Sequence, residues 1–388
     1  MPSPGPSRLV AAVGSANART TWSGIPFHLL QAGVSAGMLD GGLDLVTDTT
    51  RIRLTRGLWN LALMARGRSR GGFQYTEGFL ELLWAEAPDL AGSTILNCFC
   101  LYPEAIVEDA SIRKWFFIDQ TLTQLFDYYE QDKVASEAVR RSAIEREAHG
   151  YAAASGIVVN SQWAQRSVVD AYGIDPTKVH VAVPGPSIDA DLIRSLEPPP
   201  MRPPVSEEAP LRLVFVGKDW QRKGLDRLLR GMEIARARSA PVTLKVIGCA
   251  RGSLPPELQG TLGVEWLGFI DKRLDQAGFV AALRDADVGC LLSRYEAGGI
   301  ALREYHSVGL AVIGPDTGGA PEHMIDGGSV ALAPDASDEE VGDTILQLAS
   351  DPHMLSTMSS TSWERRQDAS WSSAISGLMG IWPEGGGR

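Results

Sequence analysis

Residues 293–324, SRYEAGGIALREYHSVGLAVIGPDTGGAPEHM, hold a pattern that repeats in looser form along the chain. The apolar run Val288–Leu292 ahead of it reads as a buried strand. Glu296, Gly298 and Gly299 follow in a loop, and the amphipathic segment 301–309 reads as a helix opening near Ile300. A second strand comes at Ala311–Ile313, with Thr317, Gly318 and Gly319 as a tight turn behind it. Strand, glycine loop, helix and strand make a parallel βαβ unit. The glycines let the backbone approach an anion, and the N–H groups at the helix N-terminus favour one there. Glu296 and Glu304 put one carboxylate in the loop and one a turn inside the helix. So placed, both can accept hydrogen bonds from the hydroxyls of a sugar or a ribose. The plainer alternative makes Glu304 an exposed helix residue and Glu296 an ordinary loop residue.

Upstream, residues 214–232, VFVGKDWQRKGLDRLLRGM, repeat the scheme. A strand runs into Gly217 and Lys218, and a helix opens near Gly224. Lys218, Arg222 and Lys223 crowd the loop between them. Cations at a strand end beside a helix N-terminus suit a diphosphate, the alternative being a solvated loop where charges collect.

The same grammar extends to both halves of the chain. Leu9–Val13, Ser155–Asn160 and Val179–Val183 read as strands in the first half, with a helix over 25–37. Leu211–Val216, Leu244–Ile247 and Val264–Leu267 add strands to the second half, and 224–238 and 276–286 add helices. Unbroken apolar strands between helices imply parallel sheets covered on both faces. Residues 197–210, EPPPMRPPVSEEAP, contain six prolines and cannot form a helix or a central strand. The expected architecture is α/β: two Rossmann-like domains, 1–196 and 211–365, joined by this linker and facing each other across a cleft that holds the site. The apolar residues of the tail, among them Trp371, Ile375, Leu378 and Trp382, predict a final helix within 366–388 docking on the first domain.

Composition narrows the function classes. The chain of 388 residues carries 36 basic and 47 acidic side chains, a net charge of -11, which argues against a nucleic-acid partner. Cys98, Cys100, Cys249 and Cys290 show neither a disulfide framework nor paired metal-ligand spacing, and a reducing cytoplasm fits them. The first residues offer no signal-peptide core, and no apolar run is long enough to span a membrane.

Taken together, the motifs resemble the family 4 glycosyltransferases, which have the GT-B fold. The likeness rests on Gly217-Lys218 followed by Lys223-Gly224, on Glu296 and Glu304, and on the turn Gly318–Glu322. It also rests on EREAHGYAAASGIVVNSQWAQRSVVDAYGIDPTKVHVAVPG, residues 145–185. It covers about residues 135–335, and TWSGIPFHLL around Gly24 is similar to the family's N-terminal glycine loop. The resemblance implies a retaining, hexosyltransferase-type enzyme that moves a sugar from a nucleotide-diphosphate-sugar donor to a hydroxyl of a glycan, lipid or small-molecule acceptor. It implies no metal and no cofactor. It also implies that the first domain binds the acceptor and the second the donor.

By that likeness Lys218 and Lys223 face the donor diphosphate, and Gly299 and Ile300 hold the distal phosphate through backbone N–H groups. Glu296 contacts the sugar and Glu304 the ribose, while backbone near Phe269 to Lys272 faces the base. Gly24 lets the first-domain loop approach the phosphates. Lys218, Lys223 and Glu296 are the expected catalytic residues, with Gly298 lining the donor site. Three features depart from the family pattern. Gly298 stands where an aromatic residue is common, and Lys218 replaces the commoner Arg, losing its planar fork. No His follows the strand-like Thr94–Cys98, so no catalytic His is assigned; His306 reads as a packing or surface residue.

The Asp-x-Asp strings at Asp189–Asp191 and Asp285–Asp287 read as helix-end and junction residues rather than metal ligands. Residues 51–72, RIRLTRGLWNLALMARGRSRGG, hold six arginines and no acid, with Leu54, Leu58, Leu61 and Ala65 near helical spacing. This segment reads first as a helix covering the sheet with its Arg heads in water, and second as an element lying on an anionic membrane or holding an acidic acceptor. The second reading makes a cytoplasmic protein peripheral on the inner face of the membrane. Rival functions are another GT-B chemistry such as nucleotide-sugar epimerisation, a non-catalytic GT-B binding subunit, and a glycoside hydrolase using Glu296 and Glu304.

Overall fold

The computed structural model describes residues 7–67, 71–128 and 135–383. The chain divides into two compact units, Met1–Val183 with Ala374–Arg388, and Pro184–Ser373. The division falls ahead of the proline-rich segment 197–210, which lies in the second unit.

In the first unit six parallel strands form one sheet: β1 (Arg8–Val13), β2 (Gly41–Leu45), β3 (Thr94–Asn97), β4 (Arg113–Ile118), β5 (Gly156–Val159) and β6 (Val179–Val181). Their order is β2-β1-β3-β4-β5-β6, so the winding reverses between β1 and β3. Every residue of β3 and β5 is buried, as expected of strands covered on both faces. Gly156 is needed on β5 because a Cβ there would stand 2.3 Å from the Trp115 ring of β4. Trp115 also packs at 5.0 Å against Trp382 from the end of the chain, and the Trp382 indole donates to the Met38 carbonyl at 2.9 Å.

A buried carboxylate ties the helices of this unit together. Glu147, on the helix Glu137–Ala153, accepts from the Leu122 backbone N–H at the start of the helix Leu122–Asp127 at 2.9 Å. It also accepts from the hydroxyls of Tyr151 (2.7 Å) and Tyr172. Burial pushes its pKa up to about 7, against the opposing pull of those hydrogen bonds.

The second unit holds another six parallel strands: β7 (Leu211–Val216), β8 (Val242–Ile247), β9 (Val264–Gly268), β10 (Val288–Cys290), β11 (Ala311–Pro315) and β12 (Ser329–Leu332). The order β12-β11-β10-β7-β8-β9 places the reversal between β7 and β10. Ligands in such sheets bind where the winding reverses, outside the carboxyl ends of the strands. That location is reached by the loop 217–224 after β7 and the loop 291–299 after β10.

Candidate donor site and first-unit cavity

Tyr305 spans the two strand ends from the helix Ile300–Ser307. Its buried hydroxyl accepts from the Val216 N–H at 2.9 Å and donates to the Cys290 carbonyl at 3.2 Å. Gly289 makes room for the ring, since a Cβ there would lie 2.2 Å from it. The helix is thereby held over the gap between β7 and β10.

Both loops end in a left-handed glycine that starts a helix. Gly224 (φ 73°) begins Leu225–Ala237, and Gly299 (φ 84°) begins Ile300–Ser307. A Cβ on Gly224 would fall 2.0 Å from the Leu292 carbonyl oxygen, so this close approach of the two loops requires glycine. Neither helix has a side-chain cap, and at the first the Leu225 N–H is taken up by the Trp220 carbonyl at 2.9 Å. Arg294 fastens the second loop to the first helix through a two-pronged bond to Asp226 at 2.7 and 3.0 Å. Arg227 donates to the carbonyls of Leu292 and Pro334, each at 2.7 Å.

Glu296 sits at the centre, buried. Lys223 Nζ donates to its Oε2 at 2.5 Å, Ser293 Oγ at 2.9 Å, and Arg222 Nη1 lies 3.4 Å from the same oxygen. Arg222 also donates to the Tyr295 carbonyl at 2.9 Å. Burial works to raise the Glu296 pKa, but the charges of Lys223 and Arg222 outweigh it and hold the carboxyl below its ordinary value. The site therefore keeps an ionised carboxylate beside two cations. An ammonium has three N–H donors, so Lys223 can hold Glu296 and still donate to phosphate oxygens.

Glu304 is fully buried on the helix Ile300–Ser307. Lys272 donates to its Oε1, while Oε2 has no hydrogen-bond partner among the described residues. A buried acceptor of this kind suits a ligand hydroxyl. Lys272 Nζ also stands 4.3 Å from the Phe279 ring centroid. Lys218 keeps apart from the Glu296 cluster: it is exposed, with Nζ 4.2 Å over the ring of Phe269. Phe269 and Lys272 both come from the segment after β9, so that segment reaches Lys218 and Glu304 through its side chains.

The structure thus gathers Lys223, Glu296, Gly299 and Ile300 around one point, with Gly298 in the connecting loop. Gly24 lies in the first unit, where it starts the helix Ile25–Ser35 at φ 87° after two further left-handed residues, Trp22 and Ser23. Ser293, Tyr305 and the Lys272 side chain escaped the sequence reading. Ser293, three residues before Glu296, had a local signal; Lys272, 32 residues from Glu304, had none.

His306 is packed, not catalytic in its surroundings. Its Nδ1 meets Ser362 Oγ at 2.8 Å and its Nε2 accepts from the Ile325 N–H at 3.1 Å. Burial, helped by Arg303 and Arg365, lowers its pKa to about 3. Asp285 and Asp287 pair with Arg212, and Asp287 also with Arg202 at 2.6 Å. Among the described residues no group of three or more His, Cys, Asp and Glu could hold a metal ion.

The first unit has a cavity of about 560 Å³ at its own reversal point. Val13, Thr47 and Phe99 line it just beyond, or at, the ends of β1, β2 and β3, with Phe73, Phe79, Ile52, Arg56, Asp48 and Gln74. Asn97, at the end of β3, is buried and donates to the Leu101 carbonyl at 2.9 Å.

Residues 210–351 match the model of the family described as glycosyl transferases group 1. A D-inositol 3-phosphate glycosyltransferase of Kribbella flavida is 26% identical over 230 residues, 56% of this chain and 54% of its own length. Its counterpart in Segniliparus rotundus is 29% identical over 232 residues, 58% of this chain and 51% of its own. The chain spans about half the length of the curated relatives it matches. Among solved structures, sucrose-phosphate synthase from Thermosynechococcus elongatus superposes with a TM-score of 0.64 at 14% identity, covering 98% of each chain. WaaG, a glycosyltransferase involved in lipopolysaccharide biosynthesis, gives 0.63 at 14% identity, with 97% of this chain and 100% of WaaG covered. At such identities the likeness defines the fold.

Proposed function

With a glycosyl transferases group 1 match over residues 210–351 and the GT-B fold throughout, we propose that this protein is a sugar transferase. It takes a sugar from a nucleotide-diphosphate donor and passes it, with retention and without a metal, to an acceptor hydroxyl. The observation that carries the reading is the bond from Lys223 to the buried Glu296 at the β7/β10 reversal, flanked by two glycine-started helices.

In this reading Lys223, Arg222 and the N–H groups of Gly299 and Ile300 receive the diphosphate. Positive charge aimed at the departing phosphate acts most strongly as the glycosidic bond breaks. Glu296 accepts from sugar hydroxyls, and Ser293 keeps its carboxylate oriented. The open Oε2 of Glu304 accepts from the ribose, and Lys218 with Phe269 borders the outer end of the donor site. The first-unit cavity holds the acceptor. The curated relatives carry the name of an inositol phosphate glycosyltransferase, which makes a phosphorylated polyol one acceptor to try first.

A thermal-shift screen with UDP, GDP, ADP, TDP and their sugar conjugates, with and without EDTA, tests the donor half. One nucleotide is expected to raise Tm in EDTA, by mass action on the folded state, and to lose its effect in Lys223→Ala. Product analysis with that donor then separates transfer from epimerisation, since an epimerase alters the donor with no acceptor present. Absence of any nucleotide shift points to a non-catalytic subunit.

A further inference from the structure

The helix Thr50–Ala65 has two apolar faces. The inner one holds Ile52 and Leu63, both buried, and Trp59, which packs 6.3 Å from Phe73 and donates to the Gly71 carbonyl at 3.0 Å. Leu54, Leu58, Leu61 and Ala65 recur at helical spacing on the opposite side. Those three leucines are 66%, 68% and 58% exposed. The helix thus packs on the first-unit core through Ile52 and Trp59 with its arginines in water, and the leucine stripe faces away from that core. A helix that only roofs a sheet needs one apolar face, so a second stripe in solvent calls for a partner.

The charges beside the stripe identify the partner. Arg51 and Arg53 lie on the helix beside the stripe and Arg66 follows it, all exposed, while no Asp or Glu occurs from residue 49 to 76. At about 100° per residue, Arg51 flanks Leu54 by about 60° on one side and Arg53 by about 100° on the other. Arg53 lies 3.3 Å from Asp48, the nearest acid in sequence. The whole chain is acidic at -11, so this face is a local reversal of sign. Arg68 and Arg70 lie outside the described residues. A second copy seated on this stripe would bring like charges together, whereas an anionic surface would neutralise them.

We propose that this helix docks the protein on an anionic lipid surface. Leu54, Leu58 and Leu61 enter the boundary between headgroups and acyl chains, and the arginines stay at the level of the lipid phosphates. Ile52 and Arg56, on the inner side, line the first-unit cavity. Docking therefore sets one wall of that cavity beside the bilayer.

Vesicle flotation of the full chain tests this independently of sugar transfer. Vesicles of phosphatidylcholine with phosphatidylglycerol should carry the protein at low salt, and phosphatidylcholine alone should not. Raising the salt should release it. The double variant Leu54→Ser/Leu58→Ser should lose about tenfold or more in partition, with Tm unchanged because both side chains are exposed in the folded protein. Arg51→Glu/Arg53→Glu should abolish the preference for anionic vesicles. No flotation with phosphatidylglycerol at low salt overturns the proposal, as does flotation untouched by the leucine changes. Leucine-dependent self-association in sedimentation velocity without vesicle binding also overturns it, and assigns the stripe to a second copy.

Discussion

At the reversal point of the second sheet, β7 and β10 end on a cluster of Arg222, Lys223, Ser293 and Glu296. At the reversal point of the first, β1, β2 and β3 end around a cavity walled largely by Val13, Ile52, Phe73, Phe79 and Phe99. Both sheets are six-stranded and wholly parallel, and both change direction once. The winding decides where each site lies, and the loops at the strand ends decide what it can bind. One unit gathers charged side chains at its strand ends, and the other lines its cavity with rings and aliphatic groups beside Thr47, Asp48, Arg56 and Gln74.

The largest expected effect lies in the charged cluster. Lys223→Ala should lower kcat by about 10²–10³-fold, the range seen when one preorganised donor to a developing anion is lost. Tm should change little, because Arg222 and Ser293 still hold the Glu296 carboxylate. A loss of stability as large as the loss of rate would make the Lys223–Glu296 bond a structural tie.

A smaller effect should come from filling the apolar cavity. Phe99→Trp is expected to raise KM for the acceptor by about tenfold while leaving the nucleotide-induced Tm shift untouched, since overfilling a preformed pocket disturbs what it binds. A change in nucleotide response would break the division of labour between the two units.

The smallest effect, a matter of slopes, sets the buried titrating groups of the two units against each other. Glu147 is raised from 4.5 to about 7, so its contribution is full below the unfolded value and is lost as pH rises through about 7. His306 is lowered from 6.5 to about 3, so its contribution is present above the unfolded value and is lost as pH falls toward 3. Urea unfolding across this range should show Glu147→Gln flattening the neutral side of the stability profile and His306→Gln flattening the acid side. Identical profiles for wild type and both variants would refute the assignments.

Much of this architecture was legible beforehand, and the misses have physical causes. Strands such as Leu211–Val216 and Val288–Cys290 are buried on both faces and announce themselves as apolar runs. β2, with sequence GGLDL, has two glycines and an acid, and it is a strand because it pairs with β1 from Leu9 to Val13. The edge strand β12 is likewise short and only partly buried, held by its pairing with β11. The leucines of 54–61 have the spacing of a core face, yet spacing does not say which side of a helix meets the sheet.

The sequence by itself determined the alternating α/β plan, the glycine loops that open helices at strand ends, and the residue types of the candidate donor site. Each is local: a run, a period or a turn that only certain side chains permit. The tertiary structure alone decided that Lys223 bonds Glu296 and that Lys272, not Lys218, reaches a carboxylate of the helix Ile300–Ser307. It alone turned a leucine stripe to solvent. These are contacts between residues far apart in the chain, and only the closing of the parallel sheets and their loops brings such residues within reach of each other.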